Sequence, residues 1–258
     1  MIPCYVINME QDVGRKENII RQLDVLGMSY TIFNAVNGKT LNAEEIAQHY
    51  DRENAVRELR ELVPGEIGCA LSHLGVYKKI VEKDLPVALV LEDDANLLPE
   101  SLDFPPLLDV LQKLKTRFNC NDPVVVLLSH VRRYRKHSLI SLVGKLELAD
   151  TYGETFMAYA YFITNSAARR LLENTYPIRM PCDQWHTFQE CGYVQVKAVV
   201  PYCVGLSEFW QESSITPDRS VAQKKQKGKG FYYYFYEKFI FQIFVKHLLS
   251  IRRQKKTW

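Results

Sequence analysis

Three consecutive carboxylates, Glu92, Asp93 and Asp94, are the residues of this sequence whose types best suit chemistry. They follow the apolar run 87–91, which predicts a strand covered on both faces. The three charges repel one another at the mouth of such a strand, and a divalent cation would relieve that repulsion. If the strand continues, Glu92 and Asp94 point to the same side. The cluster therefore predicts a metal–diphosphate site, and a solvated acidic turn is the alternative.

Strands and helices alternate along the chain, which predicts an α/β fold with a mainly parallel or mixed sheet and helices on both sides. Ligands bind beyond the carboxyl ends of the strands in open sheets of this kind, and the acidic cluster lies at such an end. The predicted strands cover 2–7, 30–33, 87–91, 124–128, 156–164 and 193–200. The predicted helices cover 15–26, a short segment opened by a capping box of Asn42 and Glu45, a segment beginning at Pro64, 167–173 and 183–190.

Two longer motifs accompany this pattern: residues 64–74 read PGEIGCALSHL, and residues 88–95 read ALVLEDDA. Together they resemble glycosyltransferase family 25, the bacterial lipopolysaccharide and lipooligosaccharide galactosyltransferases and their collagen galactosyltransferase relatives. Shorter similar pieces are YVINME at 5–10 with Asp12 and Gly14-Arg15, FNAVNG at 33–38, AYFIT at 160–164 with Ala167-Ala168, and Pro181-Cys182-Asp183. The resemblance covers roughly residues 2–215 and departs in the loop 34–38, where the family more often has an acidic residue before the glycine.

The resemblance implies a GT-A-like fold, which we expect to form a single domain over residues 1–223. It also implies an inverting hexosyltransferase that moves galactose from UDP-galactose to a lipopolysaccharide or lipooligosaccharide acceptor, and a β linkage is expected. Mn²⁺ or Mg²⁺ would stabilise the charge that develops on the leaving diphosphate. Asp94 is the first choice for its ligand and Glu92 the second. Asp93 is expected either to bind the metal through a water molecule or to accept a hydrogen bond from the ribose of the donor.

Asp183 is the candidate for the base that takes the proton of the acceptor hydroxyl, which inversion by a single displacement requires. It lies at the predicted start of the helix 183–190, next to Trp185, whose ring could provide a surface for sugar stacking. The alternative is that Asp183 only caps this helix.

Four further residues are candidates for donor binding. Asn8 and Arg15 flank the first strand-to-helix turn, although Arg15 could also be a surface cation. The resemblance assigns Ser72 and His73 to the donor. Because His73 and Glu66 are seven residues apart on a predicted helix, a structural pair between them is the alternative for the histidine.

Composition excludes several classes of protein. With 47% hydrophobic and 24% charged residues the chain can bury a core, which argues against intrinsic disorder. No apolar run reaches the roughly 18 residues that a membrane-spanning helix needs, and the N-terminus does not resemble a secretory signal. Six scattered cysteines without a C-x-x-C pair predict free thiols in a reducing cytosol, with neither a disulfide nor a zinc site. No P-loop, G-x-G-x-x-G or G-x-S-x-G motif occurs, which argues against Walker-type kinases, nicotinamide enzymes and serine hydrolases.

The formal net charge of +3 combines two very different segments. Residues 224–258 hold ten Lys or Arg, one acidic residue and ten of the 30 aromatic residues, and carry a charge of +9; the remaining 223 residues have a charge of −6. As a helix, the tail would align Tyr236, Ile240, Ile243, Phe244, Leu248 and Ile251 in an apolar stripe. The tail therefore predicts binding to an anionic membrane surface, here the inner face of the cytoplasmic membrane. Packing of the tail against the body or a second subunit, and binding of single-stranded nucleic acid, are the alternatives.

The leading hypothesis is thus a peripheral galactosyltransferase whose partners are a UDP-sugar, a glycolipid oligosaccharide and an anionic membrane, with no nucleic acid expected. Transfer from another UDP-sugar is one alternative. A non-catalytic, membrane-associated nucleotide- or sugar-binding module is another, and a metal-dependent glycosidase is a third because paired carboxylates also hydrolyse glycosides.

Overall fold

An eight-stranded mixed sheet lies at the centre of the computed structural model, which describes residues 2–97, 107–208 and 246–254. Its strands in spatial order are β2 (Thr31–Asn34), β1 (Cys4–Asn8), β3 (Val87–Glu92), β9 (Ala160–Thr164), β5 (Val124–Leu127), β10 (Gln195–Val200), β8 (Leu146–Asp150) and β7 (Ile140–Val143). Strands β2, β1 and β3 are parallel, β9 runs antiparallel between β3 and β5, and β8 and β7 form an antiparallel edge. The predicted mixed α/β sheet is confirmed.

Helices cover both faces of this sheet, and the alternation of side chains along β1 shows why. Val6 packs into one apolar core with helices α1 (Val13–Val25) and α5 (Leu107–Arg117). Tyr5 and Ile7 pack into a second core with α4 (Pro64–Glu82), α6 (Asn165–Thr175) and α7 (Trp185–Glu190). Successive side chains of β1 face opposite cores. Because both faces of the strand are covered, nearly all of its residues must be apolar. The helices are α1 (Val13–Val25), α2 (Ala43–His49), α3 (Arg52–Glu58), α4 (Pro64–Glu82), α5 (Leu107–Arg117), α6 (Asn165–Thr175) and α7 (Trp185–Glu190).

Local signals place several helix ends correctly. The capping box of α2 is confirmed: Asn42 Oδ1 accepts from the backbone N–H groups of Glu44 and Glu45, and the Glu45 side chain accepts from Asn42 N–H at 2.8 Å. Helix α4 begins at Pro64, where a missing N–H costs nothing.

Several boundaries differ from the predictions, and three of these differences lie near the predicted site residues. Strand β3 ends at Glu92, and Asp93 and Asp94 form a turn before β4 (Ala95–Asn96), so the same-side argument from a continuing strand is wrong. The β4 strand leaves the main sheet to pair with β11 (Gly205–Leu206). The segment predicted as a strand over 156–164 is a strand only from Ala160 onward, and the helix predicted over 183–190 begins at Trp185.

The described part of the basic tail, residues 246–254, packs on the body. After the short helix α8 (Lys246–Leu248), strand β12 (Ile251–Arg253) pairs antiparallel with β6 (Arg133–Arg135). Ile251 is 3% exposed, so its assignment to a lipid-facing helical stripe is wrong. The stripe residues Tyr236, Ile240, Ile243 and Phe244 lie outside the described residues, as does most of the tail. None of the described helices combines the length and the apolar character needed to span a bilayer.

Candidate active site

A cleft of about 180 Å³ opens beyond the carboxyl ends of β1, β2 and β3, where parallel strands of an α/β sheet usually bind ligands. The register pairs Ile7 with Glu92 and Asn8 with Asn34, so the three strands end together. The lining includes Met9, Gln11, Asp12, Arg15, Val36, Asn37, Lys39, Cys69, Ser72, Glu92, Asp93 and Asp94. The structure therefore brings the acidic cluster, Arg15 and Ser72 into one site.

Arg15 is the cation that faces the acidic turn. One of its guanidinium nitrogens lies 2.7 Å from Asp93 Oδ1 and 3.1 Å from Asp94 Oδ2, and the other lies 3.7 Å from Asp12. Its side chain is 15% exposed, so the alternative reading of Arg15 as a surface cation is wrong. A half-buried guanidinium between carboxylates offsets much of the repulsion within the cluster.

Asp93 is held on both of its oxygens. Asn8 donates from Nδ2 to Asp93 Oδ2 at 2.7 Å, while Arg15 binds the other oxygen. Burial raises the pKa of Asp93 to about 6, against the lowering effects of Arg15 and Asn8. Asp93 is 5% exposed, and this arrangement suits an anchor of the turn.

Asp94 differs from Asp93 because one of its carboxylate oxygens has no hydrogen-bond donor among the described residues. Its Oδ2 contacts Arg15, and this other oxygen, Oδ1, is buried. Burial, followed by the nearby charge of Glu92, raises the pKa of Asp94 to about 7. A buried, unpartnered carboxylate oxygen costs free energy unless a cation or donor reaches it. Together with Glu92, it forms the hard oxygen donor set that Mg²⁺ or Mn²⁺ prefers, so these residues fit such an ion.

The Glu92 carboxylate contacts the imidazole of His73, which lies beneath the cleft and is 1% exposed. His73 Nε2 is 3.3 Å from Glu92 Oε1, and Nδ1 is 2.7 Å from the Tyr161 hydroxyl. Burial lowers the pKa of His73, but hydrogen bonds to Cys69 and Glu92 outweigh it and raise this pKa to about 10. His73 thus positions Glu92 from below and is separated from the open cleft.

Glu66 is not the partner of His73, so the structural pair that was the alternative for this histidine is wrong. Its carboxylate binds the guanidinium of Arg60 at 2.6 and 2.7 Å and accepts from Val63 N–H at the start of α4. Residues seven apart on a helix share a face but are two turns apart, which is why each side chain finds a nearer partner.

Ser72 connects α4 to the loop that borders the cleft. Its hydroxyl donates to Gly68 O at 2.8 Å and accepts from Val36 N–H at 2.8 Å. Asn37 Oδ1 in the same loop accepts from Lys39 N–H at 3.0 Å. Ser72 and Asn37 therefore shape the wall of the cleft.

Asp183 is half-buried and lies outside the cleft lining. Its Oδ2 accepts from Met157 N–H at 3.3 Å, and the N-cap residue of α7 is Gln184, so Asp183 does not occupy the capping position. The preceding residue, Cys182, brings its thiol within 3.4 Å of Cys69 on the cleft. Asp183 therefore lies outside the cleft and follows a residue that contacts the cleft wall only through Cys69.

Trp185 is not a surface for a sugar. It is fully buried, its indole N–H donates to Met157 O at 2.9 Å, and its ring packs edge-on against Tyr161 and Phe188. The expected sugar-stacking role is therefore wrong, because the aromatic residue belongs to the core between α7 and β9.

Lys39, Gln11 and Cys69 line the cleft and were absent from the predicted site. Lys39 had a detectable signal, since a cation directly after a predicted Asn-Gly turn at a strand end is well placed to meet a phosphate. A larger hollow of about 640 Å³ lies among Lys113, Arg117, Ser141 and Gln195, and its lining contains none of the predicted site residues.

Comparison with known families bears directly on this cleft. The family described as glycosyltransferase family 25 (LPS biosynthesis protein) matches residues 1–186, which include every predicted site residue. The chain belongs to glycosyltransferase family 25.

Curated relatives from the family match over shorter stretches. Procollagen galactosyltransferase 1-A of Xenopus laevis is 35% identical over 99 residues, covering 35% of this chain and 15% of the relative. Procollagen galactosyltransferase 2 of Homo sapiens is 34% identical over 96 residues, covering 36% and 15%. A glycosyltransferase 25 family member of Drosophila melanogaster is 35% identical over 104 residues, covering 37% and 16%. The matches thus span less than a fifth of the length of these relatives.

Proposed function

We propose that this chain is an inverting, metal-dependent galactosyltransferase with a GT-A-like domain, which moves galactose from UDP-galactose to a lipopolysaccharide or lipooligosaccharide acceptor. The observation that carries the proposal is the unpartnered, buried Oδ1 of Asp94 in a cleft that Glu92 shares. Family membership supports glycosyl transfer, and the names of two relatives support galactose as the sugar.

Asp94 and Glu92 would hold Mn²⁺ or Mg²⁺ in this proposal. When bound, the ion supplies positive charge to the diphosphate of the donor. The protein contributes the positioning: Arg15 and Asn8 fix the turn of Asp93 and Asp94, and His73 supports Glu92. Preorganised ligands of this kind require no rearrangement when charge develops on the leaving group.

Only part of the donor would fit between the described residues. A volume of about 180 Å³ is below the roughly 300–1,000 Å³ of pockets that enclose a whole ligand. We therefore assign the diphosphate to this cleft, near Arg15 and Lys39, whose positive charges suit it.

The base is proposed to be Asp183. Asp183 lies outside the cleft lining, but its half-buried carboxylate follows Cys182, whose thiol contacts Cys69 on the cleft wall. A carboxylate next to the cleft is suited to accept the proton of an acceptor hydroxyl. Asp183→Asn should reduce transfer at least about 100-fold while leaving UDP binding unchanged. Substantial remaining transfer would remove Asp183 from the mechanism.

The acceptor is proposed to be a glycolipid at the inner face of the cytoplasmic membrane. Strand β12 presents the exposed Arg252 and Arg253 on the body, so part of the basic charge of the tail is fixed relative to the cleft. Exposed basic residues contribute about 1 kcal/mol each near an anionic bilayer.

A donor screen tests the function. UDP-galactose, UDP-glucose and their N-acetyl analogues are each offered with and without Mn²⁺, and both UDP release and glycosylated product are measured. The proposal expects Mn²⁺-dependent turnover of UDP-galactose. Turnover of a different UDP-sugar would correct the donor, and UDP binding without turnover of any donor would identify a binding module and overturn the enzyme.

A further inference from the structure

We propose that Cys69, His73 and Cys182 form a binding site for a thiophilic divalent metal such as Zn²⁺, which adjoins the carboxylate site of the cleft and has different ligands. One ligand atom from each residue lies within 4.8 Å of the other two, and the two sulfur atoms are 3.4 Å apart. Two thiols and an imidazole are the donor set that zinc sites in proteins use.

The spacing of these atoms is close to what the ion requires. Zinc bonds of about 2.3 Å to sulfur and about 2.0 Å to nitrogen place two ligands of a tetrahedral ion roughly 3.5–3.8 Å apart. Cys69 and His73 are four residues apart on α4 and therefore share a face of this helix. Cys182 reaches them from the segment before α7, so small side-chain movements would complete the site.

The surroundings of His73 orient its ring as in many metal sites. The Tyr161 hydroxyl donates to Tyr77 at 3.1 Å, so its oxygen accepts the Nδ1 proton of His73 at 2.7 Å. Nε2, which now lies 3.3 Å from Glu92 Oε1, is then the nitrogen that would bind the metal, and the metal would take the place of this contact with Glu92. A hydrogen bond on the opposite ring nitrogen fixes the tautomer and direction of metal-binding histidines.

The sequence predicted no zinc site, because Cys69 and Cys182 are 113 positions apart and form no C-x-x-C pair, and the proposal departs from that prediction. The proposed site also differs chemically from the site at Asp94, since soft thiolate ligands select Zn²⁺ and carboxylates select Mg²⁺ or Mn²⁺. A three-residue set leaves one position of the ion for water or an added ligand.

A metal here would tie the segment that carries Asp183 to α4, directly beneath the cleft. Part of this consequence rests on the proposed function, because Asp183 is the proposed base. The binding of the metal does not, since it depends only on the two thiols and the imidazole.

Cobalt titration of the full chain tests the site, with a phosphine reductant keeping the thiols reduced. Co²⁺ should produce thiolate-to-metal charge-transfer absorption, and a stoichiometric amount of Zn²⁺ should abolish it. Cys69→Ser and Cys182→Ser should each lose most of the absorption. Cys120→Ser and Cys191→Ser, which alter exposed thiols, are the matched controls and should retain it. Far-UV circular dichroism confirms that each variant is folded.

Two outcomes would overturn the inference: no charge-transfer absorption in the fully reduced wild type, or absorption that persists in both Cys69→Ser and Cys182→Ser. Asp94→Asn separates the two metal sites, because it should keep the absorption while losing Mn²⁺-dependent transfer. Loss of the absorption in Asp94→Asn would contradict a separate site. A wild type that binds Co²⁺ through thiolates but turns over no UDP-sugar would leave this inference standing and remove the proposed function.

Discussion

At the scale of single residues, the acidic turn divides between an anchored and an available carboxylate. Asp93 binds Asn8 and Arg15 through its two oxygens, whereas Asp94 keeps one buried oxygen without a donor among the described residues. The sequence was enough to predict these carboxylates as site residues, since their position directly after an apolar run is visible in it. It could not show that Arg15 neutralises them, because that contact depends on β1 lying next to β3.

Arg15→Ala should lower the free energy of unfolding by about 3 kcal/mol, because it leaves the buried carboxylate of Asp93 without its cation. Adding Asp93→Asn should recover about 1–2 kcal/mol of that loss, since a neutral amide has no charge to desolvate. Urea denaturation of the two single variants and the double variant measures this coupling. Arg21→Ala, an exposed cation on the same helix, should change stability little. Simple additivity of the two single losses would contradict the ion pair.

At the scale of elements, the wall of the cleft depends on close backbone packing between α4 and the loop 36–38. A Cβ atom on Gly68 would lie 2.4 Å from Gly38 N and 2.5 Å from Val36 O, and both are backbone atoms that cannot rotate away. The two glycines thus allow the loop that carries Lys39 to rest on the helix.

Gly68→Ala should therefore destabilise the protein by about 1–3 kcal/mol and weaken donor binding, because the loop must move away from α4. Gly14→Ala is the control: Cβ at Gly14 meets nothing within 4 Å, and Ala favours the helix by about 1 kcal/mol. Thermal unfolding compares the two. Equal stability of both variants would show that the packing of loop and helix is unimportant.

Elements with a strong local sequence pattern were predicted well, whereas elements that depend on pairing with distant residues were not. Each of three elements could be predicted from its own segment alone: β3 and β5 from their apolar runs, and α2 from its capping box. Helix α5 carries buried residues spaced three and four apart, yet no element was predicted there. Strands β6 to β8 are short, and their pairing with distant partners decides their structure. Trp185 failed as a site residue for the same reason, since only the fold shows that it is buried.

At the scale of the whole molecule, the charge separation between the body and the tail is partly built into the fold. Pairing of β12 with β6 attaches the last described residues to the body. The expectation of a domain over residues 1–223 with a separate tail stays a prediction, but the body of the structure also includes 246–254.

Ile251→Ala should lower the free energy of unfolding by about 2 kcal/mol, because it removes a buried side chain that secures β12. Leu248→Ala is the matched control, since Leu248 is 84% exposed three residues earlier. Hydrogen exchange of β6 amides, measured with urea denaturation, should show faster exchange only in Ile251→Ala. Unchanged exchange in that variant would contradict attachment of the tail through β12.

Replacing both Arg252 and Arg253 by Gln should weaken binding to anionic vesicles by about 10- to 30-fold, because each lost charge contributes about 1 kcal/mol. Replacement of Arg169 and Arg170, two exposed arginines on α6, controls for net charge and should have a smaller effect. Vesicle sedimentation at low salt measures both. Equal losses for the two pairs would mean that net charge alone drives binding, contrary to a membrane-facing β12.

The proposal that Asp94 holds a divalent ion is tested most directly by Mn²⁺ binding in the presence of UDP, followed by electron paramagnetic resonance. Wild type should bind Mn²⁺, and Asp94→Asn should bind it at least about 100-fold more weakly, because the buried ligand oxygen loses its charge. Asp24→Asn, which alters an exposed carboxylate on α1, should match the wild type. Equal Mn²⁺ affinity in wild type and Asp94→Asn would contradict the assignment of the acidic turn to the metal.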